Sequence, residues 1–266
     1  MNQTFLNNFS LENKKALILG ASKGIGLAIS QFLSNQGATI FAVARGKNEL
    51  ASLINSLPSP GNRYLAIDLA KENDIAELIS SIQNWGIPDV IVANLYIRTK
   101  SEKINSLYRE PTEFILDDLK CLFKLFPICI PAQRERKFGR WIGISSMSAN
   151  LGGPGQAVYS IKKNALESLF KTLALEEGRN HITANIISPG FILTPGVNSN
   201  YSQDNISTFS KMNAMGRAGS PEEIAHTASF LASPLASYIT GVTIPVCGGY
   251  NLGWAVQNAI EGKLNL

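Results

Sequence analysis

Three cysteines and two histidines among 266 residues leave little room for chemistry built on sulfur or imidazole. Cys121, Cys129 and Cys247 form an odd set without Cys-x-x-Cys spacing, which argues against a disulfide framework or a thiolate metal site and suits buried thiols in a reducing cytosol. His181 and His226 stand on separate segments, and neither occupies a recognisable Ser-His-Asp setting. No stretch approaches the ~20 apolar residues of a membrane helix, and Met1 to Ser10 lacks the charged and apolar regions of a secretory signal, so the expectation is a cytoplasmic chain without a membrane partner. Gly 22 and Pro 12 are ordinary counts that exclude collagen-like and low-complexity classes. Charge is scarce as well, at 17% of residues against roughly 25% in an average soluble domain. The net charge of +4 is mild and does not point to a nucleic-acid binder. The densest basic run, Arg134-Glu135-Arg136-Lys137 with Arg140, reads as the solvated end of a helix or as a dock for an anionic partner. So little charge leaves less polar surface than a lone globule shows, which points to association.

What the chain does contain is alternation. Short β-branched runs at Lys15–Leu19, Ala38–Val43, Tyr64–Ile67, Val90–Ala93, Trp141–Ile144, Ile182–Ile187 and Val242–Val246 are separated by helix-period segments. That is the pattern of a parallel sheet covered on both faces. Ile25, Ile29, Phe32 and Leu33 recur at helical spacing up to Gly37, and a further helix surrounds Ile75 to Ile82. A long helix is expected from about Glu113 to Lys137, bent near Pro127 and Pro131, and another from about Gln156 to Glu177. Ser220-Pro221-Glu222-Glu223 is a capping box that opens a helix to about Ala232. Pro245 suits an edge strand. No linker interrupts the order, so residues 1–266 read as one doubly wound α/β domain with a seven-stranded, mostly parallel sheet. Its cofactor half spans about 12–150 and its catalytic and substrate half about 151–266. The Asn- and Ser-rich segment from Val197 to Met215 is a candidate lid at the strand carboxyl ends.

Three motifs carry chemistry. Gly20-Ala21-Ser22-Lys23-Gly24-Ile25-Gly26 lies between an apolar strand and an amphipathic helix, where glycines let the backbone approach a pyrophosphate seated on the helix N-terminus. At the end of the second strand, Ala44 and Arg45 stand where an NAD site places an acid; with Lys23, two cations and no carboxylate fit the 2′-phosphate of NADP(H). Asp68, followed by Leu69, closes the third strand and either reads the adenine edge or caps the next helix. Finally, Tyr159 and Lys163 lie i and i+4 on one helix face, so an ammonium meets a phenol and favours its phenolate. Ser146, thirteen positions upstream at the end of the fifth strand, places a hydroxyl within reach of the same substrate oxygen.

Gly20-x-x-x-Gly24-x-Gly26, Asp68, Asn94, Ser146, Tyr159, Lys163, Asn185, Pro189-Gly190, Thr194, Arg217 to Ile224 and Gly241 to Gly249 together resemble the short-chain dehydrogenase/reductase family over nearly the whole chain. The resemblance implies a Rossmann-type fold and hydride transfer between NADP(H) and a carbonyl or alcohol carbon of a small molecule. It also implies Tyr159 as general acid/base, Ser146 as the group orienting the substrate oxygen, and Lys163 on the nicotinamide ribose. Pro189 and Gly190 would flank the nicotinamide, with Ile192 and Thr194 at its carboxamide end. Family practice adds dimers or tetramers built on the long helices and last strand.

Departures from the family pattern are equally specific. Leu19 replaces the usual Thr, and Ala93-Asn94-Leu95-Tyr96 replaces Asn-Asn-Ala-Gly, so the tie between first and fourth strands looks lost at both ends. Asp118 falls where an Asn usually completes a proton path from the lysine. Cys247 stands where an acid is common. Three functions remain open: a ketone reductase acting on a 3-oxoacyl or secondary-metabolite carbonyl, an impaired NADP(H)-binding scaffold or sensor, and a non-redox lyase or isomerase using the same Tyr/Lys pair. Tyr96, Phe191, Tyr201, Phe209 and Trp254 are candidate pocket walls, or else core and interface residues. The tail from Trp254 to Leu266 covers a neighbour's site or frays.

Overall fold

The computed structural model describes residues 9–95, 103–104 and 117–252, apart from the Asp118 side chain. The expectations for Tyr96, the Asp118 carboxylate and the tail from Trp254 lie outside these residues. Seven strands form one sheet: β1 (Lys15–Leu19), β2 (Thr39–Ala44), β3 (Arg63–Ala66), β4 (Val90–Ala93), β5 (Gly139–Ile144), β6 (Ile182–Pro189) and β7 (Thr243–Val246). Their spatial order is β3-β2-β1-β4-β5-β6-β7, and every pairing is parallel. The chain winds outward from β1 in one direction and then, from β4, in the other. A crevice therefore opens between the carboxyl ends of β1 and β4, where Leu19 pairs with Ala93.

Burial on both faces explains the continuous apolar strands. Ala16 and Ile18 of β1 face helices α1 (Gly24–Asn35), α2 (Lys47–Ser56) and α9 (Pro221–Ala232). Leu17 and Leu19 face α3 (Glu72–Trp85), α4 (Asp117–Arg136) and α6 (Ala157–Glu177). With neighbours on both sides, the central strands have no solvent face to make polar, whereas the edge strands β3 and β7 keep exposed positions at Arg63 and Pro245. Leu19, the replacement for the family's Thr, is fully buried in the second of these layers.

Helix α4 runs through both Pro127 and Pro131, which leaves the carbonyls four residues before each without an intrahelical partner. Helix α2 and the short α5 (Met147–Leu151) lie outside the sequence expectations. The region of the candidate lid forms α7 (Pro195–Asn200) and α8 (Gln203–Ser210), capped by Thr194 onto the Val197 N–H and by Ser202 onto the Asn205 N–H. Its Asn and Ser content thus records helix starts as well as loop. The capping box of Ser220 and Glu223 opens α9, which ends at Ala232, and Pro245 sits exposed on the edge strand β7.

The basic run is exposed from Arg134 to Lys137 at the end of α4, as expected of a solvated helix end, but two of its cations are already paired and Arg140 is buried apart from them. Arg134 forms a two-point pair with the buried Glu177, at 2.8 and 2.5 Å. Arg136 reaches Asp89 at 3.3 Å, and Arg140 is buried in β5, donating to the carbonyls of Gly139 and His181. Burial pulls the Arg140 guanidinium down to about 10. These cations close the amino-terminal end of the sheet. Among the described residues no helix is long and apolar enough to cross a membrane.

Candidate active site and nucleotide cleft

The glycine loop leaves β1 by two turns that only glycine accepts readily. Gly20 and Gly24 have φ of +83° and +54°. A Cβ on Gly20 would collide with the Asn94 carbonyl oxygen, and one on Gly26 with the Gly20 carbonyl oxygen. The Val43 carbonyl accepts from the N–H groups of Gly20 and Ala21 at 2.8 and 3.1 Å. Helix α1 then begins without a side-chain cap and without an acid in its first turn, so its leading N–H groups face the cleft unopposed by negative charge. This cradle fits a dinucleotide pyrophosphate. Ser22 lies in the loop, half-buried, and Ile25 packs partly against the core beneath it.

Leu19 and Ala93 cannot make the family's side-chain tie, as expected, but a different tie joins the end of β4 to the glycine loop. Asn94 donates through Nδ2 to the Gly20 carbonyl at 2.9 Å, and its own N–H reaches the Leu19 carbonyl at 3.1 Å. The amide of Asn94 therefore braces the glycine loop directly, without a hydroxyl at position 19. Position 19 was free to become leucine because it points into the core.

At the end of β2, Arg45 is exposed as expected, but a carboxylate is present after all. Lys23 pairs at 2.9 Å with Glu49, in the first turn of α2. The Lys23 ammonium holds the Glu49 carboxyl below the usual carboxylate range. Sequence spacing did not reveal this pair because α2 was not expected. Asp68 Oδ1 accepts from the Ala70 N–H at 3.2 Å, and the Asp68 N–H donates to Asp74 at 2.8 Å, so this carboxylate shapes the turn ahead of α3. Leu69 packs half-buried beside it.

The second cluster sits at the carboxyl ends of β4 and β5. Lys163 is buried, its Nζ 5.8 Å from the centre of the Tyr159 ring. That ammonium donates to the carbonyls of Leu95 at 2.9 Å and Ile144 at 2.8 Å. Leu95 thus serves through its backbone, while its side chain is buried in the core. Ser146 caps α5, its Oγ accepting from the Ser148 N–H at 3.2 Å, which leaves the hydroxyl proton to be donated elsewhere. Its neighbour Ser145 donates to the buried Glu167 at 2.6 Å, and Glu167 also accepts from Thr243 of β7 at 3.2 Å. Glu167 escaped the sequence reading although its spacing, one turn beyond Lys163, placed it on the same helix face.

The loop after β6 closes the cleft. Gly190 donates to the Val246 carbonyl at 3.0 Å, and a Cβ there would lie 2.8 Å from the Cys247 Cα. Pro189 and Ile192 are buried, and Ile192 bridges to Gly219. Thr194 reaches the glycine loop: its methyl lies 3.1 Å from where a Gly24 Cβ would stand. Phe191, Tyr201 and Phe209 meet edge-on or tilted with centroids 5.5 to 6.2 Å apart, forming an aromatic cluster in the segment after β6. A cavity of about 610 Å³ lies by the start of α6, lined by Lys103, Ile104, Gly152, Gly153, Pro154, Gly155, Ala157 and Ser160. The Ser160 hydroxyl is buried without a hydrogen-bond partner among the described residues, and sequence reasoning did not single it out.

His226 stacks edge-on against Phe32 at 4.6 Å, and His181 occupies a left-handed turn at the foot of β6; neither joins the cleft. The three thiols are buried, and burial raises Cys121 and Cys129 to about 12. Among the described residues no cluster of three or more His, Cys, Asp or Glu side chains is arranged to hold a metal.

A parallel sheet of this order, with a glycine cradle at its switch point, defines a Rossmann-type oxidoreductase. The chain belongs to the short-chain dehydrogenase/reductase family: the family model described as enoyl-(acyl carrier protein) reductase matches residues 20–251. It is 31% identical over 241 residues to the 3-oxoacyl-[acyl-carrier-protein] reductase of Vibrio cholerae, covering 90% of this chain and 98% of that protein. It superposes with TM-score 0.84 and 27% identity on a 3-oxoacyl (acyl-carrier-protein) reductase from Agrobacterium tumefaciens with NADP bound, covering 94% of this chain and 98% of that one. L-sorbose reductase from Gluconobacter frateurii, complexed with NADPH and L-sorbose, gives TM-score 0.82 at 30% identity, with 91% and 98% covered.

Proposed function

We propose that this chain is a single-domain, NADP(H)-dependent reductase of small-molecule ketones, of the 3-oxoacyl or secondary-metabolite kind. What supports the reading is Lys163, bonded to the Leu95 and Ile144 carbonyls with its Nζ 5.8 Å from the centre of the Tyr159 ring, and Ser146 two residues beyond Ile144. Bound NADPH supplies the hydride to the carbonyl carbon. Tyr159 donates its phenolic proton to the carbonyl oxygen as that oxygen gains charge, so carbonyl becomes alcohol and tyrosine becomes tyrosinate. Lys163, anchored on the Leu95 and Ile144 carbonyls, stabilises that tyrosinate electrostatically. Ser146 keeps its proton and donates a hydrogen bond to the same oxygen, orienting it. Gly20, Ser22, Gly24, Ile25 and Gly26 receive the pyrophosphate, Lys23 and Arg45 the 2′-phosphate, and Asp68, Leu69 and Asn94 the adenosine side and loop. Pro189, Gly190, Ile192 and Thr194 enclose the nicotinamide. The cavity beside Ser160 would take the substrate's body. Relatives named as acyl-carrier-protein and sugar reductases support the carbonyl class.

Two of the departures that favour an impaired scaffold lose force, since Leu19 packs in the core and Leu95 works through its backbone. Association remains part of the proposal: Phe123 of α4, Leu175 of α6 and Val242 beside β7 are exposed apolar side chains on the elements expected to meet a second copy. Buried thiols suit the cytoplasm. Assaying the purified chain with NADPH and a panel of 3-oxoacyl thioesters, keto-sugars and cyclic ketones tests the reading. Loss of NADPH absorbance is expected, with Tyr159→Phe lowering turnover by about 10²–10⁴-fold while NADPH still binds. A panel without turnover, alongside tight NADPH binding, would favour the scaffold instead.

A further inference from the structure

The cation that the sequence assigns to a 2′-phosphate is already engaged. Lys23 Nζ lies 2.9 Å from Glu49 Oε1, with side chains 61% and 40% exposed. Three features hold this carboxylate in place. It accepts from Lys23 and from its own backbone N–H, and it lies in the first turn of α2, where the helix dipole favours an anion. Gly46, the residue preceding α2, leaves it room: a Cβ there would stand 2.5 Å from Glu49 Oε2. The pair therefore bridges the glycine loop and the helix after β2, spanning the carboxyl ends of β1 and β2 where Arg45 also emerges. An exposed ion pair of this kind is weak and exchangeable, so an incoming dianion can take the ammonium but must then sit beside a carboxylate.

We propose that Glu49 is a specificity-determining residue for the dinucleotide, competing with the ribose 2′-phosphate for Lys23. This rests on the nucleotide-binding reading above. On it, Arg45 and Lys23 attract the phosphate while Glu49 opposes it, and the chain accepts both NADPH and NADH with only a modest preference for the first. A carboxylate at this distance from β2 lies outside the position where ribose-reading acids are sought in sequence, because the turn and first helical residues fold it back.

The test is equilibrium titration of the full-length chain with NADPH and with NADH, followed by nucleotide fluorescence, for the wild type, Glu49→Gln, Lys23→Ala and the double variant. Both side chains are exposed and Gln is isosteric, and circular dichroism checks that the fold is kept. In Glu49→Gln the ratio of the NADH to the NADPH dissociation constant is expected to rise about three- to tenfold, mainly through tighter NADPH. In the Lys23→Ala background the same substitution is expected to move the ratio by less than about twofold. An unchanged ratio in Glu49→Gln, or an equal change with and without Lys23, overturns the proposal while leaving the nucleotide-binding reading intact. A wild type that binds neither dinucleotide overturns that reading and this inference with it.

Discussion

At one end of the cleft Lys163 is buried and donates to two backbone carbonyls, whereas at the other Lys23 is 61% exposed and meets a carboxylate that is itself 40% exposed. Both are lysines that the proposed function sets against a nicotinamide dinucleotide, yet they are held by different physics. Lys163 is fixed by backbone carbonyls, that of Ile144 within β5 and that of Leu95 just beyond β4. Lys23 is held by a side chain that solvent and salt screen. A buried cation on rigid acceptors keeps one geometry and suits a fixed electrostatic task. An exposed pair exchanges partners readily and suits selection between similar ligands. In the function proposed here, chemistry is built into the sheet ends and cofactor choice is left to the surface.

Substitutions break this comparison in graded steps. Lys163→Met is expected to have the largest effect, lowering turnover by at least about 100-fold and destabilising the fold, since two carbonyls lose their donor at about 1–3 kcal/mol each. Turnover and urea midpoint measure the two losses, and an unchanged midpoint would mean that Lys163 is not structurally anchored. Gly26→Ala pushes a methyl into the Gly20 carbonyl and should weaken NADPH binding roughly tenfold, read by titration, with the fold retained. Ser145→Ala removes the closest donor to the buried Glu167 and is expected to cost about 1–3 kcal/mol in chemical denaturation.

The exposed side should respond more mildly. Arg45→Ala is expected to weaken NADPH a few-fold, with about the affinity-difference of a single screened charge, and to leave NADH unchanged. The difference should shrink as salt is raised; an effect independent of ionic strength would place Arg45 away from the phosphate. Smallest is Glu223, whose carboxyl Arg217 and the Ser220 N–H hold down at about 2. Its folded value lies below its unfolded value, so the stabilisation is complete above the ordinary carboxylate range and is lost as pH falls toward 2. Glu223→Gln should flatten the acid limb of thermal stability slightly, with no change near neutral pH beyond that of an exposed pair.

Much of the fold was legible because burial on both faces writes apolar runs that turn signals punctuate. Lys15–Leu19 and Val90–Ala93 are strands over the expected residues for that reason. Helix α2 was not legible: its first turn is polar and only Leu50 and Leu53 are buried, too little apolar periodicity to stand out. Helix α5 is five residues long, and a side-chain cap from Ser146 starts it. In the site, Tyr159, Lys163 and the glycines announce themselves by spacing along one element. Asn94 was found through the family motif alone, and Glu167 and Glu49 were not found, because each acts across elements distant in sequence.

The sequence by itself determined the alternation of buried strands and helices, the glycine turn at Gly20–Gly26 and the shared face of Tyr159 and Lys163, since all three are local consequences of side-chain size and helical pitch. Tertiary structure alone decided what those groups meet. It replaced a strand tie that looked lost with the Asn94 amide, gave Lys163 the carbonyls of Leu95 beyond β4 and Ile144 of β5, paired the basic run with Glu177 and Asp89, and set Glu49 against Lys23. The reason is that a hydrogen bond or ion pair depends on distance in space, and only the packing of the sheet and its helices brings residues remote along the chain to within 3 or 4 Å.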